Sequence, residues 1–456
     1  MSGEQLSPRT KRIMAPLVRT SSTYFAVVGI LGGVLLFANL AWIRQLDEGL
    51  AVTGLTDRIS WGIYISGFIY FIGISYGGTM VSAILRLTKT EWRRPITRIA
   101  EASTAAALMV AVMMPIFDMG RPERVWSLIL YGRIESPLVW DFIAIGTYLA
   151  GSLLFLYLAL IPDFATMDRV LPRRVRVRRV AYRFLKMRWE GTPAQKRSLE
   201  RALLAISIII IPIAVSAHTV LSWMFGMTTR TGWHSSIFGP YFVGAALFSG
   251  IAIVVVAMAI FRRAHHLEDL ITEDHFRKMA NILLVFSLTY LYFTLNEYLT
   301  ITFQPSTDEQ ILLQLLVEGP LAPYFWFSTL SLVLVTVLLA LPRTRTIRWI
   351  TVSALLLNVS LWVKRIVIVI PSMAVPLVPG DTVATYSPTW VEWAITAGSF
   401  ASFCLIFAVF AKLFPMVSLW EIEEGEEAAR LAAESPAGGP PARPAAPPAV
   451  GAKGGA

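Results

Sequence analysis

Met114-Pro115-Ile116-Phe117-Asp118-Met119-Gly120-Arg121-Pro122-Glu123-Arg124 closes one long apolar stretch, and Ser136-Pro137-Leu138-Val139-Trp140-Asp141-Phe142 opens the next. In each, an aspartate stands where apolar sequence meets polar sequence. A carboxylate at the edge of lipid is expensive to desolvate, so such residues mark functional sites by default. Working outward from this pair, a helix needs roughly 20 apolar residues to cross a bilayer. Ten stretches qualify: 24–43, 59–85, 99–117, 139–161, 202–225, 241–261, 279–303, 322–341, 347–370 and 391–414. Lipid cannot satisfy an open strand's backbone, and segments of this length pair internally only as helices. The predicted fold is an all-α integral membrane protein with ten transmembrane helices.

Composition agrees. The chain has 456 residues, of which 55% are hydrophobic and 15% charged, and its mean hydropathy is +0.61. Soluble domains carry more charge. The single cysteine, Cys404, lies inside an apolar run. That excludes a disulfide framework, a cysteine-ligated iron–sulfur cluster and a cysteine zinc site in this chain. The first apolar run, Tyr24 to Ile43, is long enough to span, and no small-residue cleavage site follows it. It is read as a helix rather than a cleaved signal.

The net charge of +10 raises the question of nucleic acid, which the placement of the charges answers. Of 40 Lys and Arg residues, 32 fall in the N-terminal segment, 86–98, 162–201, 262–278, 342–348 and the C-terminal segment from Lys412. The alternate loops hold six: Arg44, Arg58, Arg121, Arg124, Arg133 and Arg230. This alternation puts both chain ends in the cytoplasm and accounts for the basic charge without a nucleic-acid partner. The expected division is a cytoplasmic segment 1–23, spans one to five over 24–225, spans six to ten over 226–414 and a cytoplasmic low-complexity tail, 415–456. The arginine run 173–179 reads as a topology signal that also contacts anionic lipid.

Depth follows from topology. His218, Glu297 and the pair Lys364 and Arg365 each lie about six or seven residues from the outer ends of spans five, seven and nine, roughly 9–10 Å below the surface. Asp118, Asp141 and Glu392 sit at that same outer edge. The inner half offers Glu101, Ser103 and Thr104 on span three, and Ser75, Tyr76, Thr79 and Ser82 on span two. Those hydroxyls serve either interhelical bonding or a proton path from the cytoplasm. Glu297 with Lys364 and Arg365 is either a structural ion pair or a protonatable link.

Oxidising a quinol releases two electrons and two protons. Its pocket needs apolar walls and two proton acceptors, for which a histidine and desolvated carboxylates are suited. Asp118, Asp141 and His218 supply those types. Asp118 has a second reading, a helix-ending turn with a salt bridge to Arg121. A b-type haem needs two facing histidines, and His218 is the only histidine in a span, so haem is not expected and redox centres would belong to other subunits.

At these residues the sequence resembles the NrfD/PsrC family of polysulfide-reductase-type membrane subunits, and more narrowly those of alternative complex III. The matching stretches are Trp61-Gly62-Ile63-Tyr64 with Gly77-Gly78-Thr79, Gly120-Arg121-Pro122, Ser136 to Asp141, Ile161-Pro162-Asp163, His218 to Trp223, Gly232 to Phe242, Glu297, Gly319-Pro320 and Tyr386 to Trp390. The resemblance implies two four-helix bundles, spans two to five and six to nine, flanked by spans one and ten. It implies a site for a quinone, menaquinone or ubiquinone, near the outer face in the first bundle. It also implies an iron–sulfur subunit docked on that face, and no haem, cluster or metal in this chain. Tyr64, Arg121, Trp140, Trp233 and His234 are then expected around the quinone, and Glu101, Glu297, Lys364 and Arg365 along a proton path. Further membrane subunits, with cytochromes or a molybdopterin enzyme, would complete an assembly in a bacterial inner membrane. Two other functions fit less well. One is a quinone-reducing anchor for a molybdenum or sulfur-compound oxidoreductase. The other is a secondary transporter, whose inverted repeats and midplane polar site are not seen here.

Overall fold

The computed structural model describes residues 8–171, 176–303, 305–378 and 380–422. Each of the ten apolar stretches forms a helix: α2 (Ser22–Glu48), α3 (Ile63–Leu87), α4 (Thr97–Asp118), α6 (Pro137–Val170), α8 (Pro193–Gly226), α9 (Phe238–Ala264), α10 (Glu273–Phe303), α12 (Ala322–Ala340), α13 (Ile347–Ala374) and α14 (Trp390–Leu413). Shorter helices lie between them: α1 (Pro8–Val18), α5 (Trp126–Leu130), α7 (Arg176–Leu185) and α11 (Thr307–Val317). No strand occurs among the described residues. The protein is a multi-pass integral membrane protein, and its ten described spans are all helices.

Several helices outrun the apolar stretches because polar residues cap them beyond the lipid. Thr192 and Gln195 form a reciprocal capping box ahead of α8, with Pro193 in the first turn, where a missing N–H costs nothing. Ser306 and Glu309 do the same for α11, in a segment with no apolar run long enough to span. At the end of α4, Gly120 takes φ +66°, a left-handed conformation that favours glycine, and the chain turns there.

Two closed rings of helices emerge from the packing. In one, α3 touches α4 and α8, and α6 touches α4 and α8. In the other, α9 touches α10 and α13, and α12 touches α10 and α13. The rings meet chiefly where α3 crosses α9. Gly77 and Gly250 make that crossing possible: a Cβ on Gly77 would stand 2.4 Å from the Gly250 Cα. Small residues let backbones approach this closely, and dispersion between backbones then supplies the association that lipid cannot. Helix α3 is the axis of the assembly, with 94% of its apolar core buried, against 11% for α2. Helix α2 lies at the periphery, packed on α14.

The basic end of the first ring is closed by the chain beyond α14. Met416, Val417, Leu419 and Glu421 are buried. The expected tail boundary at 415 therefore falls too early, and packed chain extends to Ile422. The reason is charge: Glu421 accepts from Arg93 at 2.8 Å and lies 3.1 Å from Arg86, while Arg94 donates to its backbone carbonyl. Burial raises the Glu421 carboxyl, but the Arg86 and Arg93 guanidiniums outweigh it and hold the group below the usual range. The rest of the expected tail, 423–456, lies outside the described residues. Beneath Glu421, the fully buried pair Arg98 and Asp163 closes at 2.8 Å, and Asp163 also accepts from the Leu419 N–H at 3.2 Å. The arginine run is divided in the same way. Residues 173–175 are not described. Arg178 donates to the carbonyls of Leu17 and Lys412, and Arg179 pairs with Asp168, so these two are structural as well as basic.

Candidate functional site

The helix ends opposite the basic loops carry Asp118, at the last turn of α4, and Asp141, in the second turn of α6. His218 lies two turns before the end of α8. Each has one buried polar atom that makes no hydrogen bond: Oδ1 of Asp118, Oδ1 of Asp141 and Nε2 of His218. Buried polar atoms are almost always paired, so three orphans on three helices at one end of one ring need an explanation. No hydrogen bond joins the three to one another. The structure gives each a different neighbourhood.

Asp118 belongs with the α2, α3 and α14 ends. Gln45 donates to the Phe117 carbonyl at 2.7 Å, and the buried Tyr64 hydroxyl donates to Gln45 at 2.7 Å. Glu392, fully buried, accepts from Gly54 N–H at 2.7 Å, from the Tyr386 hydroxyl at 2.5 Å and from Thr389 N–H at 2.9 Å. Tyr386 in turn accepts from Ile63 N–H at 3.1 Å. Glu392 is thus a knot that ties the start of α14 to the loop before α3. In the sequence it is only a charged residue at the membrane edge. Gln45 is not among the expected site residues, although a lone amide near the end of an apolar span is a signal in itself.

The expected salt bridge from Arg121 to Asp118 does not form. Arg121 is exposed and pairs with no carboxylate among the described residues. Around it, Trp126, Leu130, Tyr131 and Ile134 are also exposed. Trp140 is half-buried and its indole N–H donates to the Ile134 carbonyl, which anchors this loop to α6.

His218 faces inward to the junction of the rings. Its Nδ1 lies 3.3 Å from the Ala214 carbonyl, its ring packs against Tyr76 at 4.4 Å with the planes tilted by 42°, and its Nε2 makes no hydrogen bond, although the Ile72 carbonyl is close. It lines a small cavity with Tyr241, Tyr290 and Arg365 of the second ring. Trp233 is buried, stacks on Trp61 at 5.8 Å and spends its N–H on the Ile368 carbonyl at 2.8 Å. Exposed His234 borders a half-open cavity of about 590 Å³ between the ends of α8 and α9, with Trp223, Phe238 and Ser235.

The remaining expected residues form two further clusters. Lys364 donates to the Tyr298 hydroxyl at 2.7 Å and lies 3.6 Å from Glu297. Arg365 is buried beside them and bonds the Leu361 carbonyl. Glu101 accepts from Ser82 at 2.8 Å and lies 3.8 Å from Arg86, at the basic end of α4, the helix whose opposite end carries Asp118. No group of three His, Cys, Asp or Glu side chains suited to a metal occurs among the described residues.

A helical membrane body whose carboxylates and histidine lie buried at one end defines a membrane subunit with a polar site inside an apolar frame. The chain belongs to the family described as polysulphide reductase, NrfD, whose profile matches residues 51–377. It is 28% identical over 267 residues to a putative dimethyl sulfoxide reductase membrane subunit of Halobacterium salinarum, a match covering 58% of each chain. A longer match is to a selenate reductase subunit of Mesobacillus selenatarsenatis, 24% identical over 89% of this chain and 95% of that one. The Hdr-like menaquinol oxidoreductase integral membrane subunit of Archaeoglobus fulgidus is 23% identical over 89% of this chain and 96% of its own.

Proposed function

We propose that this chain is the quinone-interacting subunit of a membrane electron-transfer complex. It takes quinol at the helix ends opposite the basic loops, in the first ring, and electrons leave to an iron–sulfur subunit docked there. The observation that carries this reading is the set of three unpaired buried atoms on Asp118, Asp141 and His218. A quinol hydroxyl donates a hydrogen bond and then a proton. Each of these atoms is able to accept one, and two of the three suffice for the two hydroxyls of a quinol. The names of relatives support the substrate class, since one is called a menaquinol oxidoreductase. The exposed Trp126, Leu130, Tyr131 and Ile134, with Arg121 at their edge, form the surface on which the iron–sulfur subunit rests. Aromatic and arginine side chains are the anchors that such interfaces favour. The two rings correspond in this reading to the two four-helix bundles of the resemblance, and the outer end faces away from the cytoplasm in a bacterial inner membrane.

Two measurements test these points. A reporter fused after Lys412 should lie in the cytoplasm and one inserted in the 304–320 segment outside; finding both on one side defeats the topology. Titration of the purified complex with a short-chain naphthoquinol should show saturable binding that Asp118→Asn weakens at least about tenfold, as expected for loss of a charge-assisted hydrogen bond. Unchanged affinity in that variant would remove Asp118 from the site.

A further inference from the structure

We propose that a water-bridged relay runs sideways from His218 in the first ring to Glu297 in the second, and carries one of the two quinol protons out of the site. The relay rests on the quinone reading above and adds to it a route and its residues.

The route is visible as two small cavities that share one side chain. The first is lined by His218, Tyr241, Tyr290 and Arg365, among others, and the second by Tyr290, Thr294, Thr329, Ser360 and Lys364. Each measures about 10 Å³. That is about the space one water needs, and a water is held only where two or more polar partners face it. The partners are present: His218 Nε2, the Tyr290 hydroxyl and Thr329 Oγ1 lack hydrogen bonds although buried, and Glu297 Oε2 lies 3.6 Å from the Lys364 ammonium, which lines the second cavity. Three orphans lining two water-sized spaces that share Tyr290 are what bridging waters would satisfy, and Lys364 joins the second space to Glu297.

The chemistry balances. Two-electron oxidation of a quinol breaks two O–H bonds, and both electrons pass to the iron–sulfur partner. His218 donates from Nδ1 to Ala214 in the tautomer its geometry favours, so Nε2 carries the lone pair. That nitrogen takes one proton and hands it to the first bridging water. Tyr290 accepts at its oxygen as it releases its own proton to the second water, and Glu297, 3.6 Å from Lys364, ends protonated. The other proton leaves by the aspartates. Nε2 first faces the quinol oxygen and then, once the quinone withdraws, the bridging water, after which only hydroxyl hydrogens and waters reorient.

The test uses the complex assembled around this chain, in proteoliposomes, with a short-chain naphthoquinol and ferricyanide as acceptor. Tyr290→Phe and Glu297→Gln should each slow turnover by roughly 10- to 100-fold, at or below the usual range for a proton-transfer group. Both should raise the solvent deuterium isotope effect and leave the quinol KM near its original value. A merely structural role for Tyr290 would not change the isotope effect. Native turnover and isotope effect in both variants overturn the relay while quinol oxidation stands. If the unmodified complex neither binds nor oxidises quinol, the quinone reading fails instead. A high-resolution map of the complex decides the route independently: ordered water in both cavities supports it, and two dry cavities overturn it.

Discussion

Asp141→Asn and His218→Ala are each expected to abolish quinol turnover in the assembled complex, by roughly 100- to 10,000-fold, while the complex still assembles. For Asp141 the reason is energetic. Its Oδ1 is buried without a partner, and an unsatisfied buried polar atom costs about 1–3 kcal/mol. A residue kept for stability would not be left so. Asparagine preserves the shape and removes the charge and the proton-accepting capacity, so the variant should be as stable as the native chain or more so, and inactive. His218→Ala removes the acceptor nitrogen together with the ring that packs against Tyr76. It should lose turnover with a modest loss of stability. Steady-state assays beside thermal unfolding of the same preparations separate the two effects. Near-native turnover in both variants would show that these side chains are structural.

The largest stability effect is expected at the other end. Asp163→Ala leaves the Arg98 guanidinium, itself 1% exposed, without its carboxylate and leaves the Leu419 N–H without an acceptor. Removing one partner of a buried pair costs about 3–5 kcal/mol. Replacing both, as Arg98→Met with Asp163→Leu, should cost much less than the single change, because no charge is stranded. Denaturant unfolding in detergent measures both, and a single-variant loss under about 1 kcal/mol would contradict this role for the pair. Neighbouring Glu421 adds a pH dependence. Its folded carboxyl is held below the ordinary glutamate value. Its contribution is therefore complete above that value and is lost as pH falls below it through the lowered folded value.

The ten helices are legible in the sequence because lipid imposes one rule, internal backbone pairing over a fixed length, and apolar runs report it directly. Asp118 and Asp141 are legible for a related reason, as charges at the ends of such runs. Their surroundings are not. Glu392 bonds Gly54, 338 residues away, and nothing local records that α14 returns to the loop before α3. The rotation of α8 about its axis is equally hidden. Depth places His218 level with Glu297, but only packing shows that it faces Tyr290 and Arg365 rather than the two aspartates. Glu421 reads in sequence as the start of an acidic tail. Its burial depends on Arg86 and Arg93, which stand more than 300 residues earlier in the chain.

The glycine crossing between α3 and α9 bears on how such a body could do work. Gly77 and Gly250 bring two backbones together with no side chain between them to slide or re-pack. Transporters that alternate their access rock one half of the fold against the other. Here that motion would have to pull apart main-chain atoms already in contact at the centre of the protein. The two rings are in effect riveted, and the relay proposed above would cross a fixed frame rather than a moving one.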